Sequence, residues 1–124
     1  MYVSDTPDKW VIVGIAVDDS RIFKVFGSWV GSYLDGDTWR MNSGIKAVTE
    51  DDHYCYFEGM SGSCYKCLKS RYGVATSYSQ GVLNDIVEKG QGRVIVLENR
   101  RNLINFLEDG GVTVHTRIAN NQPD

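Results

Sequence analysis

The stretch that decides the fold is Trp10-Val11-Ile12-Val13-Gly14-Ile15-Ala16-Val17. It is rich in β-branched residues, and the turn-forming residues 18–21 end it. A second β-rich run covers residues 22–30. Two such runs separated by a short turn predict two consecutive strands, so a β-sheet begins here.

Three more β-rich runs follow, over residues 39–48, 54–58 and 63–68. Turn signals separate them, including an Asp-Gly pair at residues 35–36 and the glycines at 59 and 62. Asn42-Ser43-Gly44 interrupts the first of the three and suggests a bulge or a bend. Strands that recur about every eleven residues predict an antiparallel meander with one core face and one free face.

The remainder of the chain predicts helices alternating with strands. Val82, Leu83, Ile86 and Val87 form an apolar stripe on a helix over residues 78–89, which Gly90 and Gly92 end. A short strand over 93–97 follows. Asn99 is the predicted N-cap of a second helix, over 99–109, and a last strand covers 112–118. The predicted fold is therefore α+β: a five-stranded antiparallel meander packed by two helices, with two further C-terminal strands.

Length and composition predict one folded domain. The chain has 124 residues, 42% of them apolar and 11% aromatic, which suits a single globule. We expect an N-terminal arm over 1–9, the meander over 10–68, a helix and strand part over 77–118, and a tail over 119–124. The longest apolar run is far shorter than the roughly 20 residues that cross a bilayer, so no membrane partner is expected. The first residues do not resemble a secretory signal, and we expect a cytoplasmic location.

Charge is unevenly distributed along the chain. Residues 1–62 hold ten acidic and five basic residues, whereas residues 63–124 hold eight basic and six acidic residues. The net charge of −3 argues against a protein that binds duplex nucleic acid through its backbone. Two small basic groups, at residues 66–71 and 100–101, suit a compact anionic ligand better than a duplex backbone, although solvated surface charge is the favoured interpretation of both.

The three cysteines permit several interpretations. Cys64 and Cys67 have the spacing of a zinc knuckle, and Cys55 and His53 precede them as possible further ligands. The pair nevertheless lies on a predicted strand, where residues three apart point to opposite faces. Buried thiols are therefore the favoured interpretation, with a zinc site and a redox pair as alternatives, and no cofactor is predicted.

Catalytic groups are sparse in the sequence. The sequence has two histidines, His53 and His115, as candidate general bases, and neither lies in a motif for nucleophilic catalysis. The sequence also lacks the glycine-rich motifs that hold nucleotide phosphates. A binding function is thus favoured over an enzymatic one.

Two segments supply candidate binding residues. Between Gly36 and Gly44, Arg40 and Asn42 share one face of a predicted strand while Trp39 and Met41 share the other. Arginine forks pair with phosphate oxygens, and amides read base or ribose edges. The second segment lies at the predicted start of the second helix, where backbone N–H groups favour anions. The predicted ligand-binding residues are Arg40, Asn42, Asn99, Arg100, Arg101, Asn102 and Arg117.

Residues 39–45, 61–67 and 71–73 resemble small proteins encoded by tailed bacteriophages and prophages, a likeness that covers roughly residues 10–75. The order of meander, helices and final strand also resembles the Thoeris anti-defence sponge proteins. This resemblance implies a phage protein, in the cytoplasm of the infected bacterium, that sequesters cyclic ADP-ribose signals or cyclic oligonucleotides.

Two other functions remain open at this stage. The first is inhibition of a host defence effector by protein–protein contact, with Tyr54, Tyr56 and Tyr65 as the contact surface. The second is hydrolysis of the same nucleotides, with His53 or His115 as the base. A sheet with one free face also predicts association into a homo-oligomer.

Overall fold

The computed structural model describes residues 2–31 and 36–116. Its elements, in chain order, are β1 (Lys9–Val17), β2 (Ser20–Trp29), β3 (Thr38–Met41), β4 (Ile45–Glu50), β5 (Tyr54–Gly59), β6 (Cys64–Leu68), a 3-10 turn (Lys69–Arg71), α1 (Ser77–Lys89), β7 (Val94–Val96), α2 (Leu103–Asp109) and β8 (Thr113–Thr116). The predicted α+β class with two helices is confirmed. Neither helix is long and apolar enough to span a bilayer within the described ranges.

The strands form two sheets rather than one. The first sheet has the order β3-β2-β1-β7 and the second has the order β6-β5-β4-β8. All neighbouring strands are antiparallel except β4 and β8, which are parallel. The predicted five-stranded meander is thus divided into two three-stranded meanders, and the two C-terminal strands join different sheets.

The division occurs at the interruption that the sequence placed within the run over residues 39–48. The chain leaves the first sheet at Asn42, whose side-chain oxygen accepts a hydrogen bond from the Val25 N–H over 2.9 Å. Gly44 follows with φ of 143°, a conformation that residues with a side chain rarely adopt. The predicted bend therefore separates β3 from β4 and carries the chain to the second sheet.

One hydrophobic cluster joins the two sheets. It contains apolar residues from β1 and β2, from β4, β5 and β6, and from the α2 segment. Trp10 is fully buried there, and its ring centroid lies 5.3 Å from that of Phe57 in the second sheet. Leu103 and Leu107 place α2 against the same cluster. The inner faces of both sheets and one side of α2 thus share a core.

The opposite face of the first sheet is covered by α1. Val11, Val13 and Phe26 point to this side and cluster with Leu83 of the helix. The helix begins after Thr76, whose side chain accepts a hydrogen bond from the Ser79 N–H, and ends at Gly90. The helix predicted over residues 78–89 is confirmed, and the first sheet is buried on both faces.

The second helix starts later than predicted. Asn102 precedes its first residue in a left-handed conformation, with φ of 61° and no side-chain capping bond. Asn99, the predicted N-cap, instead accepts a hydrogen bond from the Arg101 N–H over 2.8 Å. Asparagine side chains that bond two residues ahead stabilise turns in competition with helix. Residues 99–101 therefore form a turn ahead of α2.

The N-terminal arm is attached to the edge of the second sheet. The Ser4 N–H donates to the Cys64 carbonyl over 2.9 Å, and the Lys66 N–H donates to the Asp5 carbonyl over 2.8 Å. These bonds satisfy backbone groups of β6 that would otherwise be open to another strand.

Candidate functional site

A cleft of about 550 Å³ lies between α1 and the first sheet. Its walls come from β1, from the segment after the 3-10 turn, from α1, and from β7 and the residues that follow it. The lining residues are Val11, Tyr72, Gly73, Val74, Gln80, Leu83, Asn84, Val87, Glu88, Val96, Leu97 and Glu98. Most of this surface is apolar, and the polar side chains are few.

One side of α1 forms the helical wall. Leu83, Asn84, Val87 and Glu88 lie three, four, seven and eight residues after Gln80, so the five residues share a face of the helix. The neighbouring face packs on the first sheet through Leu83, Val82 and Ile86. Part of the predicted apolar stripe therefore packs on the sheet, and Val87 together with Leu83 lines the cleft.

Tyr72 braces the sheet side of the cleft. Its hydroxyl donates to the Leu97 carbonyl over 2.6 Å and accepts from the Ile12 N–H over 3.1 Å. Its ring meets Trp10 edge-on, with centroids 4.9 Å apart. Burial raises the pKa of Tyr72 to about 12, so the hydroxyl keeps its proton near neutral pH. Both bonds hold the cleft in a defined shape.

The polar groups of the cleft are amides and carboxylates. Gln80 Nε2 donates to Asn84 Oδ1 over 2.9 Å. This bond uses neither the acceptor Gln80 Oε1 nor the two N–H donors of Asn84 Nδ2. Glu88 and Glu98 add carboxylate acceptors. Among the described residues, no lysine or arginine lines the cleft. The cleft thus suits an uncharged ring system that carries hydrogen-bonding groups.

Four of the predicted ligand-binding residues directly follow a residue of the cleft wall in the sequence. Asn99, Arg100, Arg101 and Asn102 follow Glu98 directly in the chain and are exposed. They lie in the turn ahead of α2, as described above. The predicted basic segment therefore follows the cleft wall in the chain, and Arg100 lies near Cys55 of the second sheet, where its charge partly opposes the rise in the pKa of that thiol.

Two other predicted residues lie at the far edge of the first sheet. Arg40 belongs to β3, which is separated from β7 by β2 and β1. Its Nη1 forms an ion pair with Asp5 Oδ1 over 2.9 Å. Asn42 is buried, with 5% of its surface exposed. The structure does not bring Arg40 and Asn42 together with residues 99–102 within one chain, and Arg117 lies outside the described residues.

Arg40 borders a second cleft, of about 450 Å³, together with Trp29 and Trp39. The Trp39 ring stacks on Phe26 with centroids 5.4 Å apart, and the Trp29 Nε1 donates to the Thr6 carbonyl over 3.0 Å. Both tryptophans are thus held by the protein itself. The ion pair with Asp5 offsets the charge of Arg40 at this place.

The cysteines are buried, and their thiols are free. Cys55 and Cys67 are direct partners in the β5–β6 register and belong to the shared core. Burial raises the pKa of Cys55 to about 11 and holds the pKa of Cys67 well above its ordinary value. Protonated thiols are poor metal ligands and nucleophiles. No group of three metal-ligating side chains occurs in the described part of the chain.

The two histidines lie on the second sheet and its turns. His53 is exposed in the turn before β5, and His115 is exposed on β8 beside Thr49 of β4. Tyr54 and Tyr56 point away from the shared core, whereas Tyr65 belongs to that core. Tyr65 therefore cannot share a surface with the other two tyrosines, as the predicted contact patch required.

Sequence reasoning did not identify Gln80, Asn84, Glu88 or Glu98 as site residues. The first three recur every four residues beside the apolar stripe, which is the signal that could have marked them. Comparisons with protein-family models, with curated proteins and with solved structures find no match for this chain. The geometry of the cleft is therefore the main basis for a functional proposal.

Proposed function

We propose that the protein is a non-enzymatic binding protein that captures a small nucleotide in the cleft between α1 and the first sheet. The observation that carries the proposal is the cleft itself. Its volume of about 550 Å³ lies within the roughly 300–1,000 Å³ of small-molecule sites. Such sites combine apolar walls with a few placed polar groups, as this cleft does.

The polar groups suit the nucleoside part of such a ligand. Carboxamides form paired hydrogen bonds with the edge of adenine, and Gln80 and Asn84 provide a carboxamide pair. Carboxylates accept hydrogen bonds from ribose hydroxyls, a role open to Glu88 and Glu98. Val87, Val96 and Leu97 would then contact the faces of the base.

The phosphate part of the ligand would lie outside the cleft. Glu88 and Glu98 disfavour an anion inside it, because like charges repel. Arg100 and Arg101 follow Glu98 after one residue and supply guanidinium groups for phosphate oxygens. A cyclic nucleotide of the cyclic ADP-ribose type, or a cyclic oligonucleotide, has both parts, and its sequestration in an infected bacterium would be a phage counter-defence.

The first experiment measures thermal shifts and calorimetric binding with cyclic ADP-ribose isomers and cyclic di- and trinucleotides. Val87→Trp fills the cleft and is expected to abolish binding. Asp85→Trp places the same side chain on an exposed position of the same helix and is expected to bind as the natural chain does. No shift with any nucleotide would contradict the proposal, and chemically altered ligand after denaturation would contradict its non-enzymatic part.

Two charge variants locate the phosphates. Arg101→Ala is expected to weaken nucleotide binding about tenfold while leaving nucleoside binding unchanged, since one charge-assisted hydrogen bond is lost. Arg40→Ala, at the opposite edge of the first sheet, is expected to change neither. If Arg40→Ala weakens binding and Arg101→Ala does not, the ligand binds at the cleft beside Trp29 and Trp39 instead.

Inhibition of a host effector by protein contact is the second candidate. Tyr54, Tyr56 and Lys66 form a cluster on the outer face of the second sheet, with Lys66 Nζ lying 4.4 Å from the centroid of the Tyr54 ring. Aromatic residues of this kind are enriched where proteins bind one another. Purification of a defined host effector with the natural chain, and its loss in Tyr54→Ala, would favour this function over nucleotide capture.

A further inference from the structure

A small polar niche lies where the connection from β3 to β4 meets the β5–β6 hairpin. Two side-chain atoms face it, Nδ2 of Asn42 and Oγ of Ser63. Both atoms are buried, and neither has a hydrogen-bond partner in the described part of the chain. Asn42 is 5% exposed. Buried polar groups almost always have a partner, so this pair calls for a physical explanation.

The orientation of the Asn42 carboxamide follows from its contacts with one residue. The Asn42 N–H donates to the Val25 carbonyl over 3.2 Å, and Oδ1 accepts from the Val25 N–H over 2.9 Å. Exchanging Oδ1 and Nδ2 would set a donor against the Val25 N–H. Nδ2 is therefore the atom that faces the niche.

Gly59 leaves the niche open. A Cβ at this position would lie 2.6 Å from Ser63 Oγ, 3.5 Å from Asn42 Nδ2 and 3.6 Å from the Gly44 carbonyl oxygen. These are the nearest atoms outside the local chain, and all three are polar. The volume beside Gly59 is thus surrounded by hydrogen-bonding groups.

The three groups define what this volume can hold. Asn42 Nδ2 requires an acceptor. The Gly44 carbonyl already accepts from the Met60 N–H over 2.8 Å and has a second lone pair for a donor, while the Ser63 hydroxyl can act in either sense. None of these three groups is charged, so an ion gains nothing here. The guest must be small and neutral, and must both accept and donate.

We propose that this niche binds one structural water molecule, which accepts from Asn42 Nδ2 and donates to the Gly44 carbonyl and Ser63 Oγ. Buried waters typically make about three hydrogen bonds to groups that lack other partners. The water would connect the β3–β4 segment, where the chain leaves the first sheet, to the hairpin of the second sheet. Asn42 is then part of the junction between the sheets rather than of a ligand-reading surface.

Water-to-protein cross-relaxation in ¹⁵N-labelled protein tests the proposal, together with a high-resolution crystal structure. We expect a cross-peak between long-lived water and the side-chain Nδ2 hydrogens of Asn42, and one electron-density peak about 2.7–3.2 Å from Nδ2. A direct hydrogen bond between Asn42 Nδ2 and Ser63 Oγ, with no water peak, would overturn it.

Variants show whether the water occupies the volume beside Gly59. The pair Gly59→Ala with Ser63→Ala adds a methyl group there and removes the hydroxyl it would meet, so the water cross-peak of Asn42 is expected to vanish. Gly81→Ala is the matched control, since a Cβ there meets nothing within 4 Å, and it should retain the cross-peak. Persistence of the peak in the folded double variant overturns the assignment. If that variant does not fold, the measurements on the natural chain decide the question.

Discussion

The two sheets have four strands each, yet their outer faces differ. The outer face of the first sheet presents Val11 and Val13 to α1, whereas that of the second presents tyrosines and Lys66. A strand covered on both faces needs apolar side chains in both directions, which explains why β1 has an almost continuous apolar run. The layer that covers a sheet, rather than the number of strands, thus determines the pattern along them.

The largest expected effect comes from the core that both sheets share. Trp10→Ala should lower the free energy of unfolding by about 3–5 kcal/mol, because the fully buried ring contacts both sheets and its Nε1 donates to the Leu68 carbonyl over 2.8 Å. Urea denaturation measures the change. Trp39→Ala, at a ring that is 37% exposed, is the control. An equal loss in both variants would contradict a central role for Trp10.

The next largest loss of stability is expected in α1, which covers the outer face of the first sheet. Leu83→Ala should cost about 3 kcal/mol, since this side chain is 2% exposed and packs on the sheet. Tyr78→Ala, on the same helix but 55% exposed, should leave stability nearly unchanged by thermal denaturation. If Leu83→Ala is as mild as its control, α1 contributes little to burying the outer face of the first sheet.

Alkaline pH is expected to lower the free energy of unfolding through Cys55, which lies on the inner face of the second sheet. Burial raises its pKa from 9.0 to about 11, so the unfolded chain loses this proton at a lower pH than the folded chain does. The contribution of the protonated Cys55 thiol to folding stability is fully present below pH 9 and is lost as the pH rises toward 11. We expect a loss of about 1 kcal/mol between pH 8 and pH 10 from this group alone.

Urea denaturation at a series of pH values measures that loss, with Cys55→Ala as the comparison. The variant is expected to be less stable at neutral pH because a cavity remains, but its stability should depend less steeply on pH. Cys64 and Cys67 also have raised pKa values through burial, so some slope remains. An unchanged slope in Cys55→Ala would show that Cys55 does not ionise differently in the two states.

The smallest effect is expected on the outer face of the second sheet. Thr49 pairs with Tyr56 of β5 and with His115 of β8, and no described helix packs on this face. Thr49→Ala should change the free energy of unfolding by no more than about 0.5 kcal/mol in urea denaturation. A loss as large as that of Leu83→Ala would indicate that another layer covers this face.

Much of the local structure was predictable from the sequence. The β-rich run at Trp10 and the stripe from Val82 to Val87 both formed the predicted elements, because period and turn residues act over a few neighbours. The start of α2 was not predictable in this way. Asn99 is common both as a helix cap and in turns. In the structure its side chain accepts from the Arg101 N–H, which stabilises the turn.

The candidate site was less predictable. The basic segment was noticed from its charge, but Gln80 and Asn84 look like ordinary solvent-facing helix residues in the sequence. They border a cleft only because α1 lies across β1 and β7, which are far apart in the chain. Asn42 was predicted to contact a ligand because its side chain is polar, but the structure buries it away from the cleft.

The sequence by itself determined the class of the fold, the strands, the first helix and the bend at Asn42-Ser43-Gly44. Only the tertiary structure decided that this bend divides the strands between two sheets, and that β7 and β8 join different ones. The reason is physical. Periodicity and turn chemistry are local, whereas strand partners are chosen by which apolar faces bury one another, and that depends on contacts between distant parts of the chain.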